Sequence, residues 1–565
     1  MIKLTKLTYL AIVTLMACTT QPKDVVQNSV DKIYEGVEFE MPKVKEPVFQ
    51  DYSVSIEKYN AVNDGKTLNT KAFADAIADV ANNGGGKVVV PRGIWLTGPI
   101  VLKSNINLHL EDGALILFSE NKDLYPLVET SFEGLNTVRC QAPLSGEGLE
   151  NIAITGNGVI DGSGDAWRFV KRSKLTASHW KELVASGGVV DEKGDTWYPS
   201  ESYMKAASMS DMNVAQFDSM EDYQKIRDFL RPVLVSLVNC KKVLLDGPVF
   251  QNSPAWNVHP LMCDDLTVRN ITVRNPWYSQ NGDGIDIESC KNVLLYNSSF
   301  DVGDDAICIK SGKDKDGRDR GIPAENTIVK NCIVYHGHGG VTVGSEMSGG
   351  VKNLHASGCT FVGTDVGLRF KSTRGRGGIV ENIFISDIDM IDIPTNAISF
   401  NMYYGGLSVS EMLAQKDDKK TDEVLPEVTE ETPQFKDIVI KNVTCKGALQ
   451  AIYLQGLPEM NLENVLLENL TMVAKNGLLC MDATGIKIKD LHLDVENYPA
   501  LNFVNVKDLK VEKLDLANPD FPMISVAGSK TKQVSIELPK GVSEDKAMTI
   551  GKAVDKNEVV VATTK

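Results

Sequence analysis

The stretch that decides both fold and chemistry runs from Gln280 to Gly312 and contains Asn-Gly-Asp-Gly-Ile-Asp-Ile at 281–287 and Gly-Asp-Asp-Ala-Ile-Cys-Ile-Lys at 303–310. It places Asp283, Asp304 and Asp305 beside glycine or a second aspartate, each just before an alternating apolar run, where a turn enters a strand. The spacing from Asp283 to Asp304 is about one turn of a repeating coil, so the sequence predicts that they lie on neighbouring strands roughly 5 Å apart. Two carboxylates this close raise the pKa of one of them, which supplies an acid and a base at one site.

Short apolar strands, each preceded by a turn residue, recur along the chain with a base period of about 27 residues and two longer intervals that mark insertions. In the central part they begin at Val243, Leu266, Val293, Thr327, Leu354, Ile383, Ile438 and Val465. The strands are short, rich in Val, Ile and Leu, and separated by Asn, Asp and Gly. This pattern predicts an all-β fold, a right-handed parallel β-helix forming one domain over residues 51–560. A leucine-rich repeat is the rival, but it needs a Leu-x-x-Leu-x-Leu frame and a shorter period, and the sequence has neither.

The start of this domain carries a helical pattern. Phe73, Ile77 and Val80 fall on one face of a predicted helix, Thr70 to Ala81, for which Asn69 is the expected N-cap. Such a helix, followed by a strand at Val88-Val89-Val90, is predicted to cap the open end of the solenoid.

Two long segments interrupt the repeats. The first, Ser163 to Arg231, contains Trp167, Trp180 and Trp197 and a predicted helix from Met220 to Leu230, and it is too long for a plain loop. The second, Gly405 to Phe435, is densely charged and predicts a surface loop. Insertions into a solenoid project from one face and shape the site there.

Composition limits the partners of this 565-residue chain. Its formal charge of −16 argues against nucleic acid, because a phosphate binder needs a basic face. No long apolar span follows residue 20, so a membrane-spanning body is not expected.

The N-terminal residues resemble a bacterial lipoprotein signal. Lys3 and Lys6 precede a mostly apolar run, and Leu15-Met16-Ala17-Cys18 closes it. This predicts a signal peptide over residues 1–17, lipidation of Cys18, and a tether and N-terminal extension over 18–50. The protein would then be an exported lipoprotein of a Gram-negative-type bacterium, in the periplasm or outer membrane, with membrane contact only through its lipid. An ordinary signal peptide with an incidental cysteine is the alternative.

The other cysteines of the chain follow Cys18, and several recur at the spacing of the repeats. Cys240, Cys263 and Cys290 occupy equivalent positions in three consecutive repeats, and Cys332 and Cys359 do so in two later ones. Equivalent positions in a repeat predict buried thiols stacked in a ladder. No Cys-x-x-Cys pair exists, so no metal site is expected.

Four motifs in order carry a family resemblance: Asn281-Gly282-Asp283-Gly284, Gly303-Asp304-Asp305, Gly337-His338-Gly339 and Arg369-Phe370-Lys371. They resemble the signatures of the polygalacturonases, glycoside hydrolase family 28, and the resemblance covers roughly residues 50 to 470. Gly282 stands where the family more often has threonine, and Phe370 where it more often has isoleucine.

The resemblance implies an inverting hydrolase in which Asp304 is the general acid while Asp283 and Asp305 hold and deprotonate water, with acid and base about 6.5 to 9.5 Å apart. His338 is implied to support Asp304, donating a hydrogen bond that keeps the acid protonated. Arg369 and Lys371 are implied to bind the galacturonate on the leaving-group side. Asn281, Lys310 and Tyr404 complete the predicted substrate-binding set, with Tyr403 competing for the place of Tyr404.

The leading hypothesis is therefore a hydrolase of α-1,4-linked galacturonic acid in pectin or pectic oligosaccharides. It is predicted to act in exo mode as a monomer, with the Ser163–Arg231 insertion as a wall across the groove. No cofactor is expected, because acid, base and water suffice. Endo action, xylogalacturonan or rhamnogalacturonan as substrate, a calcium-dependent pectate lyase, and a non-catalytic glycan-binding solenoid remain alternatives.

Overall fold

The computed structural model describes residues 31–404 and 425–563. The chain divides into two units, Met1–Met41 and Pro42–Lys565, and the described part of the first contains one short 3-10 helix, Lys32–Tyr34. The predicted signal peptide, Cys18 and residues 405–424 of the charged insertion lie outside the described residues. Within the part that is described, no helix is long and apolar enough to cross a membrane.

The first coils of the second unit combine one helix with eleven strands. In chain order they are β1 Ser53–Ser55, α1 Thr70–Asn82, β2 Gly86–Val90, β3 Gly93–Thr97, β4 Ile100–Val101, β5 Ile106–Leu110, β6 Ala114–Phe118, β7 Leu127–Phe132, β8 Leu135–Cys140, β9 Leu144–Glu147, β10 Glu150–Gly156 and β11 Val159–Asp161.

The predicted helix at the start is confirmed as α1, and Phe73, Ile77 and Val80 are buried on its inner face. Asn69 occupies the predicted N-cap position but does not cap the helix through its side chain. Its amide instead donates to the backbone carbonyls of Val62, Thr67 and Leu96, which ties the preceding loop to the first coils.

The large insertion is partly helical, as predicted. It contains β12 Val170–Lys171, α2 Ala177–Ala185, β13 Val189–Val190, β14 Thr196–Tyr198, α3 Glu201–Ala207 and α4 Met220–Lys225. The last predicted helix is therefore shorter than expected, because the α-helix ends at Lys225 and Arg227–Phe229 is a 3-10 turn.

After the insertion the coils continue to the end of the described chain. They are β15 Val235–Val238, β16 Lys241–Asp246, β17 Val249–Gln251, β18 Val258–Leu261, β19 Asp264–Arg269, β20 Thr272–Arg274, β21 Ile285–Glu288, β22 Lys291–Tyr296, β23 Ser299–Asp301, β24 Ile307–Lys310, α5 Asp314–Arg320, β25 Ala324–Lys330, β26 Ile333–His336, β27 Gly339–Gly344, β28 Val351–Val362, β29 Val366–Lys371, β30 Ile379–Asn401, β31 Gln434–Gln455, β32 Leu462–Val495, β33 Leu501–Leu516, β34 Ile524–Ala527, β35 Lys532–Leu538, α6 Glu544–Ala547, β36 Met548–Ile550 and β37 Val559–Thr563.

Apart from β7, β8 and the three strands of the insertion, which pair antiparallel, the strands pair in parallel with the equivalent strand of the next coil, for example Ile152 with Val243 and Ile285 with Ile307. The predicted parallel β-helix is thereby confirmed. One of its faces positions the candidate site. This face, here called the front sheet, consists of β4, β9, β15, β18, β21, β24, β27 and β29 and continues into the last residues of β30.

The interior is filled by stacked apolar side chains. The cysteines predicted to form a ladder are buried and free, and Cys263 and Cys290 contact each other across adjacent coils. Phe370 stacks on Phe400 with ring centroids 4.2 Å apart, and both rings meet the edge of Phe435. The aromatic residue in the fourth motif therefore belongs to an interior stack of three rings.

From β22 to β32 the turn between the second and third strand segments of each coil holds Asn or Asp, except in β28, where it holds Gly358. Asn297, Asn331, Asp387, Asn442 and Asn469 occupy it with φ between 51° and 56°, a left-handed conformation that Asn and Asp tolerate. Their side chains bond to one another from coil to coil, as when the Asn469 amide donates to Asn442 at 2.8 Å. This row of turns is called the ladder corner below.

Candidate active site

The three predicted catalytic aspartates lie together where the chain enters β21 and β24 of the front sheet. The neighbour of Asp283 in the register is Asp305, because the backbone N–H of Gly284 donates to the Asp305 carbonyl at 3.0 Å. Asp283 and Asp304 thus lie at the entries of neighbouring strands, as predicted, and Asp304 is one position before the register partner of Asp283. Asp304 precedes Asp305, whose backbone N–H donates to the Asp304 carboxylate at 3.0 Å.

Asp283 and Asp305 have opposite electrostatic environments. Burial, followed by repulsion from Asp286 and Asp304, raises the pKa of Asp283 well above its usual range. Burial would also raise the pKa of Asp305, but Lys371 and Arg369 outweigh it and hold that pKa well below the usual range. One carboxylate is thus fixed in its ionised form, while its neighbour binds a proton more readily.

Arg369 and Lys371 supply this difference. Arg369 donates to Asp305 Oδ1 at 2.8 Å and Lys371 to Asp305 Oδ2 at 2.7 Å. The two cations predicted to bind substrate thus already neutralise a catalytic carboxylate. A substrate carboxylate at this place must share them with Asp305.

Tyr404 completes the cation cluster. Its ring lies 4.8 Å from the Lys371 ammonium and 5.8 Å from the Arg369 guanidinium, and 38% of the residue is exposed. Tyr403 instead lies under Arg374, at 5.0 Å. Of the two tyrosines that the sequence left in competition, Tyr404 is the one beside the predicted substrate cations.

His338 contacts the predicted acid directly. Its Nδ1 lies 3.1 Å from Asp304 Oδ1, and its Nε2 lies 3.7 Å from Asp365. The hydrogen bond to Asp304 raises the pKa of His338, against the lowering effect of burial. His338 therefore lies within hydrogen-bond distance of the predicted acid, as expected, and this contact favours a proton on the histidine.

Lys310 lies below the site and is buried. Its ammonium is 2.8 Å from Asp286, 3.5 Å from Asp283 and 3.6 Å from Glu346, and it lies 3.9 Å from the centre of the Trp256 ring. Its pKa is raised despite burial, because Asp286 and Asp283 stabilise the charge. The predicted substrate contact of Lys310 is not available without breaking these pairs, so its place is that of a counter-ion to Asp283.

Asn281 is also engaged within the protein. It has a left-handed backbone, and its side-chain oxygen accepts from Arg231, at the end of the insertion, at 3.0 Å. Arg231 also donates to the carbonyls of Pro254 and Gln280. The insertion therefore fixes the turn that carries Asp283.

The carboxylates of Asp283 and Asp305 and the thiol of Cys308 place ligand atoms within 4.8 Å of one another, a spacing that a metal ion could use. The surroundings fit a cation poorly. Lys310 faces Asp283, and Arg369 and Lys371 face Asp305, so positive charge already balances the carboxylates.

A β-hairpin that the sequence analysis missed crosses the front sheet beside these residues. Strands β7 and β8 pair antiparallel through a two-residue turn, Glu133-Gly134, in which both φ angles are positive. The hairpin begins at the entry side of β9, and its tip reaches the exit side of β24, where the Lys313 N–H donates to the Gly134 carbonyl at 3.1 Å. The available signal was the Glu-Gly pair followed by the alternation of polar and apolar residues from Thr137 to Cys140.

The hairpin covers outward side chains of β18 and β21. Phe132 stacks on Trp256 at a centroid distance of 4.5 Å, and Trp256 lies on Lys310. As a result His259, Asp286 and Glu288, which point outward from β18 and β21, are at most 2% exposed. Glu288 pairs with His259 and Arg320, and these partners lower its pKa to about 2 against the effect of burial.

The large insertion supports this hairpin from outside. Arg139 on β8 donates to the carbonyls of Arg231 and Asn213, and Thr137 donates to that of Ala215. Val138 packs in one apolar cluster with residues of α3 and α4. The insertion was predicted to form a wall by itself. In the structure the hairpin lies across the front sheet, and the insertion packs against the outer side of the hairpin.

The hairpin also separates the aspartates from a second cleft over the earlier coils. This cleft has a volume of about 1190 Å³ and is lined by outward residues of β9, β15 and β18, by the hairpin, and by Asp316 and Asp319 of α5. Among the described residues that line it, none is Asp283, Asp304 or Asp305. The cleft over the earlier coils therefore does not include the catalytic aspartates.

Comparison with known proteins agrees with this geometry. The chain is 29% identical to an exo-poly-alpha-D-galacturonosidase of Dickeya chrysanthemi over 71% of its length and 64% of that protein, and 27% identical to a probable polygalacturonase of Vitis vinifera over 77% of its length and 78% of that protein. Among solved structures, an exopolygalacturonase from Thermotoga maritima superposes with a TM-score of 0.60 at 29% identity, covering 86% of this chain and 94% of the other.

The family model described as glycosyl hydrolases family 28 matches residues 169–484, more than half of the chain. That range contains all four motifs, from the turn of Asp283 to the strand of Arg369 and Lys371. With the aspartates, the histidine and the two cations converging on one face of a parallel β-helix, the chain is a member of glycosyl hydrolases family 28 and thus a glycosidase.

Proposed function

We propose that this glycosidase hydrolyses α-1,4-linked galacturonic acid in pectin or its fragments and releases single galacturonates from the non-reducing end. The observation that carries this proposal is the hairpin, which blocks the front sheet on one side of the aspartates while Arg369, Lys371 and Tyr404 border the other side. A polymer chain can then enter from the cation side only, so its end stops at the wall. The names of the most similar relatives support the same substrate class.

The chemistry follows from the charges of the cluster. Asp304 donates a proton to the glycosidic oxygen as the bond to the anomeric carbon breaks, and a water on the opposite face attacks that carbon. Asp305, held ionised by two cations, orients the water. Asp283 has the raised pKa and is the stronger base, so it accepts the proton of the water. The proton on His338 can then restore Asp304 for the next turnover.

Arg369 and Lys371 have a double role in this scheme. Without substrate they hold Asp305, and with substrate they also face the carboxylate of the sugar on the leaving-group side. Arginine suits a carboxylate because its planar group donates in a fixed fork, and the adjacent ammonium adds charge without a fixed geometry.

Digestion of long polygalacturonan tests exo action. We expect monogalacturonate to accumulate while viscosity stays nearly constant. A rapid fall in viscosity with mixed oligomers at early times would contradict the proposal.

Shortening the hairpin tests the wall itself. In a variant where Gly-Gly replaces Phe132 to Leu135, oligomers should appear among early products. The matched control replaces the exposed turn Glu192-Lys193-Gly194 of the insertion with one glycine and should keep the wild-type products. If both variants release monogalacturonate only, the wall lies elsewhere.

A calcium-dependent lyase is disfavoured by the same cluster, since lysine and arginine occupy the positions that a calcium ion would need. A chelator should leave activity unchanged, and products should show no absorbance of an unsaturated uronate. Loss of activity with a chelator would support the lyase.

We also propose that the protein is exported, lipidated on Cys18 and monomeric. The support for export and lipidation is the signal-like sequence before Cys18, which lies outside the described residues. Incorporation of labelled palmitate in the wild type but not in Cys18→Ala tests the anchor. The mass in light scattering of a shortened protein that begins at Thr19 tests the monomer.

A further inference from the structure

A turn beside the catalytic aspartates presents an exposed tryptophan. In the turn Pro276 to Ser279, the Ser279 backbone N–H and hydroxyl both donate to the Pro276 carbonyl, at 2.9 and 2.7 Å. Trp277 lies at its apex and is 59% exposed. An indole this open to solvent contributes little to core packing, and its ring face is accessible to a ligand.

The turn is seated directly on the two catalytic turns. A Cβ atom at Gly282, the residue before Asp283, would overlap Ser279 Oγ. A Cβ at Gly303, the residue before Asp304, would overlap the same hydroxyl and come within 2.6 Å of the Pro276 carbonyl. The glycine that replaces the family's threonine is thus what admits this turn. Trp277 therefore stands at the rim of the catalytic cluster.

A lysine from the insertion covers this indole. Lys174 ends the short 3-10 helix Arg172–Lys174, and its ammonium lies 3.8 Å from the centre of the Trp277 ring. Among the ion pairs of the described chain, none involves Lys174. It differs in this from Lys310, Arg369 and Lys371, each of which faces an aspartate.

An apolar ring next to an unpaired ammonium matches one chemical class of ligand. A uronic acid has a C–H face that packs on an indole and a carboxylate that pairs with an ammonium. A neutral sugar would use the ring but not the charge. In a protein with a formal charge of −16, a free cation at the rim also offsets repulsion of a polyanionic chain.

The position of the turn decides which sugar unit it meets. It leads into β21, whereas Arg369 and Lys371 are on β29, three coils further along the front sheet. At about 4.8 Å per coil the strands are roughly 14 Å apart, but the charged groups of Arg369 and Lys371 reach back to Asp305, in the coil next to that of Asp283. Along the sheet the two cation groups are thus about one coil apart, which is about the length of one sugar unit, so they face adjacent sugars on opposite sides of the bond that is cut.

We propose that Trp277 and Lys174 form a binding subsite for the terminal galacturonate, the unit that is released. This inference rests on the proposed exo function. It gives the insertion a second role, because its Lys174 recognises the carboxylate of the chain end while its helices support the hairpin.

The test measures inhibition by free galacturonate, with galactose as its neutral analogue, in the full chain. Lys174→Met keeps the apolar stem on the indole and removes the charge, so the inhibition constant for galacturonate should rise about tenfold at low salt and that for galactose should not change. Trp277→Ala should weaken both ligands. Lys171→Met, an exposed lysine of the same segment, is the matched control and should behave as wild type, and Lys174→Arg should restore galacturonate binding.

An equal inhibition constant for galacturonate in Lys174→Met and wild type overturns the subsite. So does a fall in Tm with unchanged charge preference, which would mean that Lys174 only anchors the insertion. Failure of the wild type to release galacturonate from polygalacturonan is a separate result, and it removes the proposed function on which the subsite rests.

Discussion

The two halves of the front sheet are built alike but finished differently. On the side of the earlier coils, outward residues of β18 and β21 such as His259 and Glu288 are sealed under the hairpin and pair with one another. On the side of the later coils, Arg369 keeps a fifth of its side chain exposed and Tyr404 more than a third. The regular coil provides the same row of positions throughout, so the difference between the halves comes from what covers them, mainly the hairpin. The catalytic aspartates stand at the boundary of the two halves.

The largest expected effect on kcat comes from a catalytic aspartate at the boundary of the two halves. Asp304→Asn cannot donate the proton that the leaving sugar needs, so kcat should fall about 10² to 10⁴-fold with the fold intact. Asp301→Asn is the matched control, because Asp301 contacts His336 at 2.9 Å much as Asp304 contacts His338, but on β23, outside the front sheet. Steady-state kinetics and far-UV circular dichroism check both variants. Near-normal kcat in Asp304→Asn would remove its assignment as the acid.

The next largest effect, on kcat/KM, is expected from Arg369 in the half of the front sheet that the hairpin leaves open. Arg369→Ala should lower kcat/KM about 10 to 100-fold on galacturonate oligomers, because a charge-assisted contact to the sugar carboxylate is lost. Arg374→Ala is the control, since that guanidinium is occupied by Glu459 at 2.5 and 2.9 Å, and it should stay close to wild type. On an oligomer methyl-esterified in the leaving sugar, the loss from Arg369→Ala should shrink. Equal losses on both substrates would confine Arg369 to holding Asp305.

A change in the half covered by the hairpin should alter the pH dependence of kcat/KM. Burial raises the pKa of Asp283, and the ammonium of Lys310 opposes that rise. In Lys310→Met that pKa should rise further, so the acidic limb of kcat/KM should move up by about one pH unit. Lys315→Met, an exposed helix lysine paired with Asp319, should leave the profile unchanged. A limb that does not move would mean that Asp283 is not the base that this limb reports.

The smallest effect concerns stability. The folded pKa of Asp283 lies above that of an unfolded aspartate, so its contribution favours the fold at low pH and is lost as the pH rises through the raised pKa. Asp283→Asn removes that loss and should raise Tm by roughly 2 °C at neutral pH. The gain over wild type should shrink on acidification, and thermal melts across the pH range check it. A lower Tm at neutral pH would show that the contact with Lys310 outweighs burial.

Local patterns predicted a large share of this molecule. The strand repeats, the cysteine ladder and the helix at the start follow from alternation and spacing, which each coil carries in its own residues. The spacing did not define the register partner of Asp283, which is Asp305, because coil length varies and a single-position shift changes the partner. The burial of Lys310 could not be foreseen, since it depends on Trp256 and Phe132, which meet only after the hairpin folds over the sheet.

The ladder corner has a consequence for how such a chain can change length. In it, side chains of adjacent coils bond directly, Asn331 to Asn297 and Asn469 to Asn442 to Asp387, so an added residue there would break these bonds. The insertions Ser163–Arg231 and Gly405–Phe435, the hairpin and α5 all leave from the other two corners, on either side of the front sheet. From β16 to β31 the ladder corner keeps one length, and the long additions to the chain are delivered instead to the border of the catalytic groove.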